Sequence, residues 1–493
     1  MNRPIYRIYI GVLVSFLLLV VFTSRWSVLE AEELEQRNEN RRPLIAEQQI
    51  PRGSIETVDG TLIAESVPEG GGKEPVFVRR YPQGPLFAHP LGYNFVEVGR
   101  TGIELSENDL LVGEENEFTS ILDQLEGSPV AGADITLTID AEAQRVATDA
   151  IEQAIAANSA GFAEAGGSVV AIEPSTGAVR AMVSVPSFDP GAARDAQTLA
   201  QLNQDPQSPV FNRATQATGY PPGSTMKVVT VAAGLDSGEI EPTTTLNADS
   251  PQDISGFPLE NSGGESFGMI DATFALTNSV NTYWAQVGEQ LGSETYIEYM
   301  ERFGFNSDPE LDYPDTQMAA SGVEFEGGLA NPGAPVDIGR VAIGQGSLTA
   351  TPLQMAEVAA TIANGGSLTR PTFIQEARDP DGRVIEELDG DQQEQVVSEE
   401  TAAQVTEMMT NVTQEGTAAG LTVPGVTDFA GKTGTAEIDV EASVNQPWFI
   451  GFAPAQDPQI AIAATIERCT GCFGGEVAGP IAVEVMGSLL NSG

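Results

Sequence analysis

The sequence predicts an α+β fold in which helices flank an antiparallel sheet. Residues 141–158 carry apolar side chains at helical spacing, with polar residues on the opposite face. Residues 168–172 and 179–185 are apolar runs separated by a short turn sequence, which is typical of a β-hairpin. Two more apolar runs, residues 448–454 and 460–466, predict buried strands near the C-terminus. A helix, a hairpin, a helical middle section and further strands follow one another in the order expected of an α+β domain.

The composition limits the classes of function. The chain has 493 residues, with 23 basic and 70 acidic side chains and a formal net charge of −47. A chain of this length has room for two or three domains. The strongly negative net charge argues against binding to nucleic acid and against binding to anionic lipid through a basic patch. An acidic patch for a cationic partner is the alternative, but the acidic residues are spread along the sequence without a local cluster. We interpret the acidity as a solvated, self-repelling surface.

An apolar run at the N-terminus predicts a membrane-spanning helix. Residues 8–22 are apolar apart from one Gly and one Ser, and aromatic residues at both edges extend the run. A cleaved signal peptide is the alternative, but no small-residue cleavage site follows. We therefore predict an uncleaved, single-pass anchor over residues 1–26. Arg3 and Arg7 precede the run, so we expect the N-terminus in the cytoplasm and the rest of the chain outside the cell membrane.

Residues 27–140 separate the predicted anchor from the α+β domain. Residues 27–50 are polar and predict a helical stalk. Asp59-Gly60 between apolar runs indicates a hairpin, and residues 135–139 alternate as a strand does. His89 is the only histidine of the chain, and without neighbouring cysteines it makes no metal site. We predict no metal and no cofactor.

The strongest candidate for catalysis is a turn, residues 219–223, that leads into Ser224 and then into an apolar run typical of a helix. Ser224 and Lys227 are three residues apart, so on a helix their hydroxyl and amine share a face and can exchange a proton. The chain has only three lysines, Lys73, Lys227 and Lys432. Lysine can act as a base once its pKa is lowered, whereas arginine cannot. Unpaired N–H groups at the start of the helix can stabilise an oxyanion.

Ser279-Val280-Asn281 is the second candidate segment. It lies within residues 272–292, whose apolar spacing predicts a mostly helical stretch. Asn281 offers a carbonyl and an amide to a peptide substrate, and Ser279 can pass a proton between amines. A cap at a helix junction is the alternative interpretation.

Lys432-Thr433-Gly434-Thr435 is the third candidate segment. The apolar residues before it predict a strand, and Gly434 has no side chain that would keep an extended peptide from the strand edge. Lys432 and the hydroxyl groups of Thr433 and Thr435 form a candidate carboxylate-binding group. A structural strand interrupted by glycine is the alternative.

The three segments occur as Ser-x-x-Lys, Ser-x-Asn and Lys-Thr-Gly, and in this order they resemble the motifs of the penicillin-binding proteins and serine β-lactamases. Residues 51–64 and 87–104 resemble the beginning, and residues 474–481 the end, of class B penicillin-binding proteins. The resemblance covers residues 51–493 and is to the actinobacterial type with a short N-terminal module. It implies a transpeptidase domain at residues 141–493, a non-catalytic module with its stalk at residues 27–140, and the anchor.

The resemblance also implies an activity, peptidoglycan D,D-transpeptidation. Lys227, neutral through burial and the charge of Lys432, would take the proton of Ser224, which attacks a stem peptide at its penultimate D-alanine. Ser279 would relay the proton, while Asn281 and residues 433–435 bind substrate and the N–H groups of Ser224 and Thr435 hold the oxyanion. An amine of a second stem peptide would resolve the acyl-enzyme, and β-lactams would stall there. The partners implied are stem peptides, β-lactams and a cell-wall polymerase.

Other functions remain open. A D,D-carboxypeptidase or a β-lactamase would resolve the acyl-enzyme with water, although the predicted anchor and module argue against a β-lactamase. A β-lactam sensor or an inactive scaffold of the cell-wall synthesis complex belongs to a different class. The intact motif residues argue against the scaffold. A sensor usually needs a cytoplasmic signalling domain, and only seven residues precede the apolar run.

Cys469 and Cys472 are the only cysteines. Cys-x-x-Cys fits a redox pair, half of a zinc site or a short structural disulfide. No second ligand pair and no thioredoxin-like pattern is present, so we favour a structural disulfide on the oxidising side of the membrane. Residues 379–400 are rich in acidic and amide side chains and predict a solvated loop or hairpin without chemistry.

Overall fold

The computed structural model describes residues 2–25, 48–69, 76–113, 131–157, 166–390 and 392–491. Most of the predicted stalk, residues 27–50, lies outside the described residues. Helix α1 (Asn2–Ser24) contains a stretch of 20 residues, Ile5–Ser24, that is long and apolar enough to cross a membrane, with a mean hydropathy of 2.4. None of this stretch is buried, as expected for a helix whose apolar surface faces lipid.

The strands of the two main sheets are β1 (Ile55–Glu56), β2 (Leu62–Glu69), β3 (Val76–Arg80), β4 (Asp134–Leu137), β5 (Gly167–Ile172), β6 (Val179–Val185), β7 (Ile374–Arg378), β8 (Val384–Glu387), β9 (Ala430–Asp439), β10 (Val444–Ala453) and β11 (Ile460–Ile466). After α1, the described helices of six or more residues are α2 (Ala141–Ala157), α3 (Ala196–Gln204), α4 (Lys227–Asp236), α5 (Ala272–Thr277), α6 (Asn281–Arg302), α7 (Pro352–Ala363), α8 (Glu399–Gln414) and α9 (Ala478–Asn491).

The central sheet has the order β9-β10-β11-β5-β6, and all neighbouring strands are antiparallel. Every residue of β5 and β11 is buried, so both faces of the sheet are covered. Helices α2 and α9 pack on each other and on the sheet, and α7 packs on its middle strands. The predicted α+β arrangement of an antiparallel sheet flanked by helices is confirmed. Strand β9, which carries Lys432, lies at the edge of the sheet.

A second sheet belongs mainly to the N-terminal part of the chain and has the order β8-β7-β4-β1-β2-β3. Strands β1 and β4 are parallel and the other neighbours are antiparallel. The hairpin interpretation of the region that begins at residue 379 is confirmed, because β7 and β8 pair with each other. The sequence pattern did not indicate that this hairpin completes a sheet begun more than 200 residues earlier.

A buried ion cluster holds this N-terminal part together. The Glu104 carboxylate accepts hydrogen bonds from Arg52 Nε at 2.7 Å and from Arg79 Nε at 2.5 Å, and Arg79 Nη1 donates to the Gly53 carbonyl at 2.6 Å. Burial raises the pKa of Glu104, but the two guanidinium groups outweigh burial, and the pKa is lowered overall. His89 has a packing role nearby: its ring is buried against Phe188, and Nε2 lies 2.9 Å from a backbone carbonyl.

Candidate active site

Ser224 lies in a 3-10 turn, Gly223–Met226, that continues directly into α4. The side chain is half-buried, and its hydroxyl makes no hydrogen bond with any residue of the described ranges. The turn is anchored by the Gly223 N–H, which donates to the Gly344 carbonyl at 2.9 Å. A Cβ on Gly344 would lie 1.8 Å from the Gly223 carbonyl oxygen, so only glycine fits there. The turn therefore presents a reachable hydroxyl on a fixed backbone.

Lys227 is the first residue of α4, and its side chain is fully buried. Its Nζ donates to the Ser279 carbonyl at 2.7 Å and to Asn281 Oδ1 at 2.6 Å, and lies 3.3 Å from Ser279 Oγ. Burial and then the charge of Lys432 lower the pKa of Lys227 well below its usual value. Both causes were expected from the sequence.

The chain is not helical through the second candidate segment. Helix α5 ends at Thr277 and α6 begins at Asn281, while Ser279 has a left-handed backbone with φ 57°. The prediction of a mostly helical stretch over residues 272–292 is confirmed, and residues 278–280 are a break in it that the pattern did not indicate. Through this break, both the carbonyl and the hydroxyl group of Ser279 reach Lys227 Nζ.

Lys432 is also fully buried, on β9. Its Nζ donates to Ser279 Oγ at 2.9 Å and to the Thr433 carbonyl at 2.8 Å. Burial lowers the pKa of Lys432 to about 7. The Ser279 hydroxyl thus lies between the amines of Lys227 and Lys432, both of which have a lowered pKa.

Glycine is required at position 434 for a different physical reason from the one expected. A Cβ at this position would lie 2.9 Å from the Pro222 carbonyl oxygen and 3.0 Å from Thr225 Cγ2. The serine turn therefore packs directly on β9, and Gly434 makes that contact possible. Gly223 touches the same strand, since its Cβ would lie 3.0 Å from the Ala436 nitrogen.

We expect Gly434→Ala to slow acylation by penicillin roughly ten-fold. The added Cβ would displace the serine turn by a few tenths of an ångström, so that the Ser224 hydroxyl is less well aligned for attack. A displacement of about 1 Å can lower a reaction rate by about 100-fold. Gly328→Ala is the matched control, since a Cβ at Gly328 meets nothing within 4 Å. The measurement is the second-order acylation rate of both variants. Equal rates for Gly434→Ala and wild type would contradict the proposed contact.

The two threonines of the third segment have partners that the sequence did not indicate. Thr433 Oγ1 lies 2.6 Å from Thr417 Oγ1, and Thr435 Oγ1 accepts a hydrogen bond from the Gly474 N–H at 3.2 Å. A Cβ on Gly474 would lie 2.2 Å from the Gly434 carbonyl oxygen. The loop after β11 and the loop after α8 therefore both pack on the site.

The predicted disulfide is confirmed: Cys469 and Cys472 are joined. Cys469 pairs with Asn445 of β10, and Asn445 Nδ2 donates to the Cys472 carbonyl at 3.0 Å. The bridge therefore fixes the loop that leads to Gly474 against the hairpin formed by β9 and β10.

A further ion cluster supports the serine turn. The Tyr220 hydroxyl donates to the Glu467 carboxylate, which also accepts from Arg213 Nε at 3.0 Å and from the Gly166 N–H at 2.9 Å. The ring of Tyr220 packs edge-on against Trp448 of β10. Sequence reasoning missed Glu467, because nothing local marks a carboxylate whose partners are about 250 and 300 residues away.

Comparisons with known proteins match both parts of this architecture. Residues 167–487 match the penicillin binding protein transpeptidase domain, and residues 52–135 match the penicillin binding protein A dimerisation domain. The peptidoglycan D,D-transpeptidase PbpA of Mycolicibacterium smegmatis is 34% identical in an alignment 514 residues long, which covers 100% of both chains. The peptidoglycan D,D-transpeptidase MrdA of Acinetobacter baumannii is 30% identical over 82% of this chain and 65% of that protein.

Solved structures agree with the sequence comparison. The crystal structure of PBPA from Mycobacterium tuberculosis is 33% identical, with a TM-score of 0.78 over 90% of this chain and 100% of that one. The ceftriaxone acyl-enzyme complex of the same protein has 33% identity and a TM-score of 0.79, over 91% of this chain and 100% of that one.

Proposed function

Because the chain belongs to the class B penicillin-binding proteins, we propose that Ser224, Lys227, Ser279 and Lys432 perform its D,D-transpeptidase reaction. The enzyme is a serine-type D,D-transpeptidase that cross-links peptidoglycan stem peptides through an acyl-enzyme, and β-lactams acylate it. One observation carries the assignment of these residues: Ser279 Oγ lies 2.9 Å from Lys432 Nζ and 3.3 Å from Lys227 Nζ, beside the turn that presents Ser224.

The contacts of Lys227 suit a neutral amine. A neutral amine has two N–H donors and one lone pair, and the two short contacts, to the Ser279 carbonyl and Asn281 Oδ1, use both donors. The third contact, at 3.3 Å from Ser279 Oγ, is the longest, and we propose that the lone pair gives it up to accept the proton of Ser224. Burial and the charge of Lys432 supply the lowered pKa that this role needs.

In the acylation step, one bond to the substrate carbonyl carbon forms and one breaks. Ser224 Oγ bonds to the carbonyl carbon of the penultimate D-alanine, and its proton passes to Lys227. The N–H groups of Ser224 and Thr435 stabilise the oxyanion, since Ser224 is in the first turn of a helix and Thr435 is on an edge strand. When the peptide bond breaks, Ser279 gives its hydroxyl proton to the departing amine of the terminal D-alanine and takes the proton held by Lys227, which becomes neutral again.

Deacylation reverses this proton path. The amine of a second stem peptide attacks the ester carbonyl and passes a proton through Ser279 to Lys227, and Lys227 then gives this proton to Ser224 as the ester bond breaks. The Lys432 ammonium is buried and directed at Ser279, so we assign its charge to lowering the pKa of Lys227 and to attracting the substrate carboxylate. We propose that the donor peptide lies along this edge strand at Thr433, Gly434 and Thr435, of which Thr435 is the most exposed, and that Asn281 also contacts it.

The location of the enzyme is part of the proposal. Helix α1 is long and apolar enough to be a membrane anchor. We place it as a single-pass anchor at residues 1–26, with the module at residues 27–140 and the transpeptidase domain at residues 141–493 outside the cytoplasm. The Cys469–Cys472 disulfide supports an oxidising compartment. A membrane-embedded cell-wall polymerase is the proposed partner.

The test is the product formed from a stem pentapeptide. The full chain in detergent is incubated with a pentapeptide ending in D-alanyl-D-alanine and with an isotope-labelled amine acceptor, and the products are identified by mass spectrometry. We expect free D-alanine and a cross-linked product in equal amounts, both abolished by prior treatment with penicillin G. Hydrolysed tetrapeptide without cross-linked product would instead identify a carboxypeptidase.

A further inference from the structure

A cavity of about 320 Å³ lies away from the active site, between the end of α6 and helix α7. None of the four catalytic residues lines it. Its wall carries five carboxyl groups and two guanidinium groups, from Glu301, Asp308, Glu310, Glu357, Glu394, Arg302 and Arg370. Cavities of about 300 to 1000 Å³ are typical of small-molecule sites, so this one suits a compact ligand.

Glu357 is the unusual member of this set. It lies in the middle of α7, whose other residues around it are buried, and it is itself only 6% exposed. Its carboxyl group lines the cavity yet makes no hydrogen bond or ion pair with any residue in the described part of the chain. The side chain is thus packed among buried residues while its carboxyl oxygens are open to the cavity, where a bound donor would give them a partner.

Each of the two arginines that line the cavity already contacts another group. Arg370 Nε donates to the Glu310 carbonyl at 2.9 Å, and the Arg302 guanidinium lies 4.5 Å from the centre of the Tyr299 ring. We propose that the cavity binds an alkylammonium group, either of a free polyamine or of a lysine side chain, with Glu357 as its counter-ion. The apolar wall formed by Pro309, Leu368 and Pro371 suits the methylene stem of such a ligand.

An organic cation fits better than a metal ion. Within the described ranges, no three or more His, Cys, Asp or Glu side chains come together closely enough to hold a metal. The carboxyl groups are instead distributed around the wall. Such an arrangement attracts a cation into the cavity and leaves Glu357 to make the direct contact.

Binding should be coupled to proton release. Burial and then the charge of Glu310 raise the pKa of Glu357 to about 8. The neutral form therefore predominates below about pH 8, and an ammonium must displace the proton to form an ion pair. Glu301, Asp308 and Glu394 favour the incoming cation, while Arg302 and Arg370 oppose it, and none of these groups contacts the Glu357 carboxyl directly. Affinity should accordingly rise from pH 6 to pH 8.5.

The experiment is isothermal titration calorimetry on the full chain in detergent, with Nα-acetyl-lysine methylamide as the probe. We expect one saturable site that is at least ten-fold weaker at pH 6 than at pH 8.5, and no binding of the neutral Nε-acetylated probe. Displacement of the probe by spermidine would identify a polyamine site, and binding of the lysine probe without spermidine displacement would identify a lysine site. No saturable binding of either amine would overturn the proposal.

Glu357→Gln is the decisive variant, because glutamine resembles the protonated acid in shape and charge and should fold. It should abolish probe binding while penicillin acylation stays at the wild-type rate, which separates this site from the catalytic proposal. Glu484→Gln, on the exposed face of α9, removes the same charge elsewhere and should bind the probe normally. Equal binding to both variants would show non-specific attraction to an acidic protein and overturn the assignment.

Discussion

Ser224→Ala should abolish covalent labelling by fluorescent penicillin and leave the fold intact. The proposed acyl-enzyme forms on the Ser224 oxygen, and the other hydroxyl of the turn, on Thr225, is buried and donates to the Pro222 carbonyl at 2.7 Å. The hydroxyl makes no hydrogen bond within the described part of the chain, so its loss should change the free energy of unfolding by only about 0.5 kcal/mol or less. The measurement is gel fluorescence of the labelled full chain, followed by mass spectrometry of the labelled peptide.

Ser237→Ala is the matched control for this variant. Ser237 follows the last residue of the same helix, and its hydroxyl donates to the Gly234 carbonyl at 3.3 Å, away from the reacting groups. It should label as the wild type does. A labelled peptide that lacks Ser224, or full labelling of Ser224→Ala, would remove Ser224 as the nucleophile.

The candidate site could be predicted from the sequence because its chemistry constrains residue type at short spacing. Ser224 and Lys227 must be one turn apart, and the rarity of lysine in this chain made Lys227 and Lys432 conspicuous. The central sheet was predictable for a similar reason. Strands covered on both faces are continuous apolar runs, and β10 and β11 have that composition.

What could not be predicted depends on contacts between distant parts of the chain. The apolar spacing of residues 272–292 continues across Ser279, so it gave no sign of the left-handed break that the contact with Lys227 requires. Gly344 and Gly474 are needed because another backbone lies within about 2 Å of where a Cβ would be, and Gly344 also has a positive φ of 78°. The pairing of β7 with β4 likewise joins segments whose local patterns are compatible with many partners.

Lys227→Arg should reduce the second-order rate of penicillin acylation by about 100- to 10,000-fold, which is the usual contribution of a general base. Arginine keeps the positive charge but cannot become neutral in a protein. It would therefore hold its proton at the position where Lys227 must accept one. The larger guanidinium would also have to fit among Ser279 and Asn281, which lie 2.6 to 2.7 Å from Lys227 Nζ.

Lys432→Arg should be less damaging, with a loss of roughly ten-fold that is mainly in binding, because a guanidinium still supplies charge and donors to Ser279 Oγ and the Thr433 carbonyl. Lys432→Ala should be worse than Lys432→Arg, since it removes the charge that helps to lower the pKa of Lys227. The pKa of Lys432 is lowered to about 7, so the wild type loses this charge as the pH rises through that value. Arginine keeps its charge over this range. The acylation rate of Lys432→Arg, relative to that of wild type, should therefore rise between pH 6 and pH 9.

Acylation rates of the three lysine variants, measured against wild type across this pH range, separate the two roles. Equal losses for Lys227→Arg and Lys432→Arg would leave the division between base and electrostatic partner without support. A Lys227→Arg enzyme that acylates normally would remove Lys227 as the base. The proton of Ser224 would then have to reach Lys432 through Ser279 Oγ, which lies 2.9 Å from Lys432 Nζ. In that case Ser279→Ala, rather than Lys227→Arg, would show the larger loss.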